Sequence, residues 1–283
     1  MITIERAPAY LTIQDQGWQA SRSAGMPVSG TMDRWALTAA NAMVGNPPDA
    51  AVFEWALTGG RIRVGRDARV AICGPDASAT QTIVAGGELD LPRPTAGRFL
   101  YLAVAGGLDV PAVLGSRSTY LPARLGHALK TGDQIRIGQS FSVSRTVVPA
   151  GRPNYESGVV RVVAGPQRAL FSDAEWQRFL SLEWKVSSAS DRMGYRLEAE
   201  ASLAAPTADL PSEAACVGAV QVPPDGKPIV LMADGPTVGG YPKIGVVISA
   251  DLPILAQRQP GAPVRFVGVS ITEAQAALRQ ISA

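Results

Sequence analysis

Punctuation is what most constrains the fold of this chain. Short apolar or alternating runs recur along its whole length, separated by Gly, Pro and Asp, and 29 Gly and 22 Pro in 283 residues leave little room for long helices. In the first half the runs are Ile2–Ile4, Leu11–Ile13, Arg61–Val64, Arg69–Ile72, Phe99–Val104 and Gln134–Ile137. In the second half they are Val159–Val163, Trp184–Val186, Ala219–Val222, Ile229–Met232, Gly245–Ile248 and Val264–Val267. Many short strands with turn residues between them close into barrels or sandwiches. The expected fold is mainly β with a few helices.

Three helices interrupt the strands. From Met32 the apolar residues Met32, Trp35, Ala36, Ala39, Ala40, Met43 and Val44 share one helical face. Thr31 is placed to cap this helix, Asp33 puts negative charge in its first turn, and Gly45-Asn46 before Pro47-Pro48 end it. A second helix starts at Ser172 with Glu175 as a capping box and buries Trp176, Phe179 and Leu180. A third begins at Thr272 with Gln275 and aligns Ala274, Ala277, Leu278 and Ile281. There is also an internal echo. Phe99–Gly106 resembles Pro228–Gly235, and Lys130–Ile137 meets Gln259–Phe266 at the same offset. Two anchors at one offset predict a duplicated barrel, with domains over 1–150 and 158–283 and a seam near Pro149–Ser157.

Charge and composition exclude several functions. The net charge is +2 with no block of basic residues, so a phosphate-neutralising face for nucleic acid is not expected. No apolar run reaches the about 18 residues of a membrane span. The N-terminus, Met1-Ile-Thr-Ile-Glu5-Arg6, carries an acid where a secretory signal needs an apolar stretch, so a soluble cytoplasmic protein is expected. Cys73 and Cys216 lie far apart and read as two buried thiols. His127 is the single histidine, which excludes a metal site built from several imidazoles and confines any Ser-His-Asp mechanism to one loop residue. Chemistry here falls to carboxylates, Lys, Arg, hydroxyls and amides.

Such groups gather beside glycine in several places. The loop with Gly25, Pro27 and Gly30 leads into a helix bearing the short polar residues Ser29, Asp33 and Asn41. Gln14-Asp15-Gln16-Gly17 ends a strand in amides and an acid, as a site or as a turn. Gly106-Gly107 and the later Gly115-Ser116-Arg117-Ser118-Thr119 suit an anion held by backbone N–H groups and a guanidinium, although the pattern is not a Walker A loop. Arg192, between Asp191 and Gly194-Tyr195, reads as a carboxylate clamp or as half of a surface Asp–Arg pair. The sharpest segment is Gly239-Gly240-Tyr241-Pro242-Lys243, which puts a lone lysine at the mouth of an apolar strand. A lysine there holds a carboxylate or phosphate, works with a lowered pKa, or snorkels from an edge.

Seven motifs in order resemble the biotin-dependent carboxyltransferase-like family: Ile13–Asp15, Ser29–Asp33, Ala40–Asn46, Tyr101–Gly107, Leu114–Thr119, Asp191–Leu197, and Gly239–Ile244 with Ser249–Leu252. Its members include allophanate hydrolase subunit 2, the C subunit of prokaryotic 5-oxoprolinase, and KipA. The likeness runs from the N-terminus to about Phe266, with departures at Ala199 and at Val238. It implies two cyclophilin-like β-barrels in tandem. It also implies one component of an ATP-dependent hydrolase that opens the 5-oxoproline lactam to L-glutamate. The partners implied are a KipI-like B subunit, together with an A subunit, ATP being bound by or shared with a partner.

Two alternatives accompany it. One is a carboxyltransferase acting on urea or a related amide, with biotin carried on another chain because no attachment motif occurs here. The other is a KipA-like regulatory partner of a KipI-like kinase inhibitor. From residue chemistry and motif membership, Lys243, Asp15 and Asp33 are the expected catalytic groups. Gln14, Ser29, Asn41, Arg117, Ser118, Arg192 and Tyr241 are the expected substrate contacts, with the amide and carboxyl groups facing a planar N–H/C=O edge.

Overall fold

The computed structural model describes residues 1–139, 148–206 and 210–282. The chain divides into two compact units, Met1–Gln19 with Ser29–Pro149, and Ala20–Val28 with Ala150–Ala283. Among the described residues the fold is mainly β with four helices, as its strand-rich sequence requires.

The first unit holds β1 (Ile2–Arg6), β2 (Tyr10–Gln14), β3 (Val52–Ala56), β4 (Gly60–Val64), β5 (Ala68–Cys73), β6 (Ser78–Ile83), β7 (Glu88–Leu91), β8 (Phe99–Val104), β9 (Leu108–Asp109) and β10 (Gln134–Ile137). They form two five-stranded antiparallel sheets, ordered β7-β4-β1-β10-β9 and β2-β3-β8-β5-β6. Alternation puts Ile2, Ile4, Ile62 and Val64 of one sheet and Leu11, Phe53, Trp55 and Leu102 of the other into a single apolar core. The second sheet carries helix α1 (Arg34–Val44), packed against β5 and β8. Asp33, rather than Thr31, caps α1, its Oδ1 accepting from Ala36 N at 2.9 Å. Thr31 lies two residues before the cap position, and its N–H donates to Asp15 O at 2.9 Å. Gly45 closes the helix with φ 80°.

The second unit is a closed seven-stranded barrel, β11-β18-β15-β16-β13-β12-β19. Its strands are β11 (Val159–Ala164), β12 (Trp184–Val186), β13 (Gly194–Glu198), β15 (Ala219–Gln221), β16 (Ile229–Leu231), β18 (Lys243–Val247) and β19 (Pro263–Gly268). A short ribbon of β14 (Glu213–Ala214) and β17 (Val238–Gly239) stands apart from that ladder. The echoed segments fall on β8 and β16, and on β10 and β19, but their pairings differ: β10 runs antiparallel to β1, whereas β19 closes the barrel parallel to β11.

Ser172 caps α2 (Asp173–Ser181), accepting from Glu175 N. This seats Phe179 on Phe266 with ring centroids 4.6 Å apart, while Trp176 and Leu180 stay half-buried. The third helix read from the sequence is α4 (Ile271–Ser282), and its capping box lies earlier than Thr272 and Gln275. Ser270 Oγ accepts from Glu273 N while Glu273 Oε2 accepts from Ser270 N. A further short helix, α3 (Leu252–Ala256), carries no periodic signal because it is five residues long. Cys73 is buried, but Cys216 is exposed, contrary to the two buried thiols expected. Among the described residues no helix is long and apolar enough to cross a membrane, and no group of three or more His, Cys, Asp and Glu side chains is placed to hold a metal ion.

Candidate functional site

Gln14, Asp15, Ser29, Asp33, Asn41, Arg117 and Ser118 belong to the first unit, and Arg192, Tyr241 and Lys243 to the second. In the first unit the end of β2 meets two loops. Asp15 accepts four hydrogen bonds: Oδ1 from the hydroxyls of Ser116 and Ser118, both at 2.6 Å, and from Gly17 N at 2.7 Å, and Oδ2 from Arg117 N at 2.6 Å. The Ser-Arg-Ser loop is therefore an anion cradle, as its residues suggest, and Asp15 is the anion that fills it. The Arg117 side chain leans on Val110 O through Nε at 3.0 Å and is otherwise exposed.

Across the loop before α1, Gly30 lies against the Asp15–Gly17 backbone, and Ser29 is buried with φ 52°, an uncommon backbone state for a residue with a Cβ. Asp33 is spent on the helix cap. Asn41 donates to Ala50 O at 2.7 Å and accepts from Asn46 Nδ2 at 3.0 Å, so its amide locks the exit of α1. Gln14 gives both amide protons away, to Thr12 Oγ1 and Thr119 O. Its Oε1 is buried with no hydrogen-bond partner among the described residues, and so is Thr31 Oγ1.

Beneath this cluster lies a polar row that sequence reasoning missed. Thr12, Glu54 and Tyr101 are register neighbours on β2, β3 and β8, all fully buried. Glu54 Oε2 accepts from Met32 N at 2.9 Å, and Tyr101 Oη accepts from Asp33 N at 2.9 Å. Burial, and then the neighbouring Glu54 and Asp33 carboxylates, push the Tyr101 phenol well above the ordinary tyrosine range. The signal was a lone carboxylate inside the apolar run Val52-Phe-Glu-Trp-Ala56.

In the second unit the cations separate. The strand row Tyr195, Val230, Val220 and Gly245 crosses β13, β16, β15 and β18. Arg192 precedes Tyr195 and Lys243 precedes Gly245, on strands that run in opposite directions, so the two lie toward opposite ends of the barrel wall. Arg192 clamps an internal carboxylate, Asp234, by Nε at 2.9 Å and Nη2 at 3.0 Å. Asp191 instead accepts from Met193 N and Gly194 N in the turn.

Lys243 opens β18 and is buried, opposite Gln221 of β15 in the same register. Its Nζ donates to Glu213 Oε1 at 2.5 Å, and Gln167 bridges the two, donating to Glu213 Oε1 and accepting from Lys243 N. Hydrogen bonding and charge from Lys243 hold the Glu213 carboxyl below the usual glutamate range. Tyr241 sits half exposed on the turn before β18. Glu213 and Gln167 carried no motif in the sequence, since loop proximity alone brings them to the lysine.

A family model described as the carboxyltransferase domain, subdomain A and B, matches residues 24–268. The chain belongs to this family. This carboxyltransferase-domain chain is 38% identical to the C subunit of 5-oxoprolinase from Escherichia coli (strain K12), over 97% of its own length and 93% of that protein's. It resembles the crystal structure of TTHA0988 with a TM-score of 0.82 at 31% identity, covering 94% of this chain and 55% of that one. It also resembles the urea amidolyase of K. lactis with a TM-score of 0.84 at 26% identity, where it spans 99% of itself but 20% of the larger protein.

Proposed function

We propose that the chain is the C subunit of an ATP-dependent 5-oxoprolinase, acting in the cytoplasm with the A and B subunits to open the 5-oxoproline lactam to L-glutamate. The observation that carries this reading is the end-to-end likeness to a free-standing C subunit, 97% of one chain on 93% of the other. The urea amidolyase likeness, in contrast, is to one segment of a much longer protein. The substrate offers a carboxylate and a planar amide edge. Lys243, buried at the foot of β18, is the cation assigned to the carboxylate.

Asp15, Asp33 and Asn41 act in this reading as positioning residues, since each side chain is consumed in holding a loop or a helix end. The residues do not fit a nucleotide at the Ser116–Ser118 loop: the two hydroxyls and the Arg117 N–H that would hold a phosphate are all donated to Asp15. The nucleotide is accordingly assigned to a partner chain.

The test is ATP-dependent glutamate release from 5-oxoproline by the purified chain, alone and then with the A and B subunits. Turnover in the full mixture only is the expected result. Equal activity without partners, or silence in every mixture despite complex formation, overturns it. The family assignment and the urea amidolyase fold favour one second reading, carboxyl transfer from biotin on another chain to an amide. Avidin abolishes activity under that reading and leaves oxoprolinase turnover untouched.

A further inference from the structure

The face of the barrel that bears Lys243 and Gln221 is its outer face. Ala219, two residues before Gln221 and on the same side of β15, packs with Leu231 and with Ala215, next to β14. The β14–β17 ribbon therefore covers this face, and Arg22 steadies it by donating to Ala215 O. Under the ribbon two donors are incompletely matched. Gln221 is 5% exposed, and its Nε2 is buried without a hydrogen-bond partner among the described residues. For the ammonium of Lys243, Glu213 is the one carboxylate partner among the described residues.

That partnership is lopsided. The Lys243 side chain is 4% exposed and that of Glu213 is 44%. A buried cation is costly to leave bare, whereas an exposed carboxylate on a two-residue strand costs little to move. Burying an orphaned amide N–H is also unfavourable, by about 1–3 kcal/mol. Gln221 and Lys243 are register partners on β15 and β18, so a carboxylate with one oxygen on Lys243 Nζ and the other on Gln221 Nε2 would meet both deficits. Gly239 matters to this space, because a Cβ there would come within 2.6 Å of Gln221 Nε2.

We propose that Lys243 and Gln221 form a subsite for a small carboxylate, kept filled in the free chain by Glu213 as a displaceable stand-in. The subsite deepens the reading of Lys243 given above, and the choice of 5-oxoproline as its ligand rests on that reading. Gln221 supplies the specificity. An ammonium alone accepts any anion, while an ammonium and an amide N–H side by side match the two oxygens of a carboxylate.

Calorimetric titration of the full chain tests this, with 5-oxoproline as the probe and 2-pyrrolidinone and inorganic phosphate as comparisons. Glu213→Ala removes the competitor and binds 5-oxoproline about tenfold more tightly than the unmodified chain, with no gain for 2-pyrrolidinone, which lacks the carboxylate. Gln221→Met and, independently, Gly239→Ala each weaken 5-oxoproline about tenfold. An unchanged or weakened affinity in Glu213→Ala overturns the subsite. So does an equal gain for phosphate, or the absence of binding by every variant. The two proposals fail separately. Tightening in Glu213→Ala with no glutamate release by the reconstituted complex removes the oxoprolinase reading alone, and turnover with no tightening removes the subsite alone.

Discussion

Lys243 and Glu213 share a hydrogen bond of 2.5 Å across the boundary between a buried strand and solvent. Removing the cation separates its two effects. In the reconstituted complex, Lys243→Met keeps the apolar stem and lowers kcat/KM for 5-oxoproline by about a hundredfold or more, as loss of a charged substrate contact does. The same variant releases Glu213. In the unmodified chain the Glu213 carboxyl titrates below the ordinary glutamate value because of Lys243, so the pair supports folding above that value and is lost as pH falls through the lowered one. Carbon NMR of the Glu213 carboxyl shows the depressed midpoint returning to the ordinary range in Lys243→Met.

Asp15 calls for a different experiment, since its role is to organise a loop. Asn in its place keeps one acceptor oxygen and turns an NH2 group toward the N–H of Arg117 or the serine hydroxyls. Asp15→Asn costs on the order of 3 kcal/mol, and thermal unfolding followed by circular dichroism shows a midpoint lowered by about 5–10 °C. A midpoint within a degree of the unmodified chain would mean that the cradle is not held by this carboxylate.

The strands were the legible part of this chain. Phe99–Val104, Gln134–Ile137 and Trp184–Val186 end where their punctuation ends them. β3 and β6 were missed for opposite reasons. Val52–Ala56 is buried on both faces, so it lacks alternation, while Ser78–Ile83 is an exposed edge with almost no apolar residue. The site was legible as residue types but not as partnerships. Nothing local to Asp15 announces that the Ser116–Ser118 loop will close on it from about 100 residues away, or that Arg192 will be taken by Asp234. Long-range pairing of polar groups leaves no period in a sequence, and it is such pairing that separates a ligand-binding side chain from a structural one.

Two glycines with nearly the same backbone angle separate conformational strain from crowding. Gly30 has φ +79° and Gly45 φ +80°, so Ala at either position meets the same left-handed penalty, about 1 kcal/mol. At Gly45 nothing lies within 4 Å of the added Cβ, whereas at Gly30 it meets Asp15 O and Gln16 C at 2.7 Å. Urea unfolding of Gly45→Ala shows that small loss alone. Gly30→Ala loses several kcal/mol, on the order of 4, because the β2 end and the α1 entry cannot both keep their places. Equal losses in the two variants would show that the contact at Gly30 relaxes without cost.

The buried pair of Tyr101 and Glu54 makes the stability of the first unit sensitive to alkaline pH. Desolvation, then Glu54 and Asp33, raise the Tyr101 phenol well above its ordinary value, so the folded chain keeps a proton that the unfolded chain releases near pH 10. The stabilisation is full below that pH and is lost progressively as pH rises past it toward the raised folded value. Absorbance at about 295 nm therefore shows the Tyr101 phenol ionising only with unfolding, and that contribution disappears in Tyr101→Phe. The substitution also leaves Asp33 N without its acceptor and Glu54 without the hydroxyl, at a cost of about 2–4 kcal/mol at neutral pH. Full ionisation of every tyrosine in the still-folded chain would show that the phenol is not held by this pair.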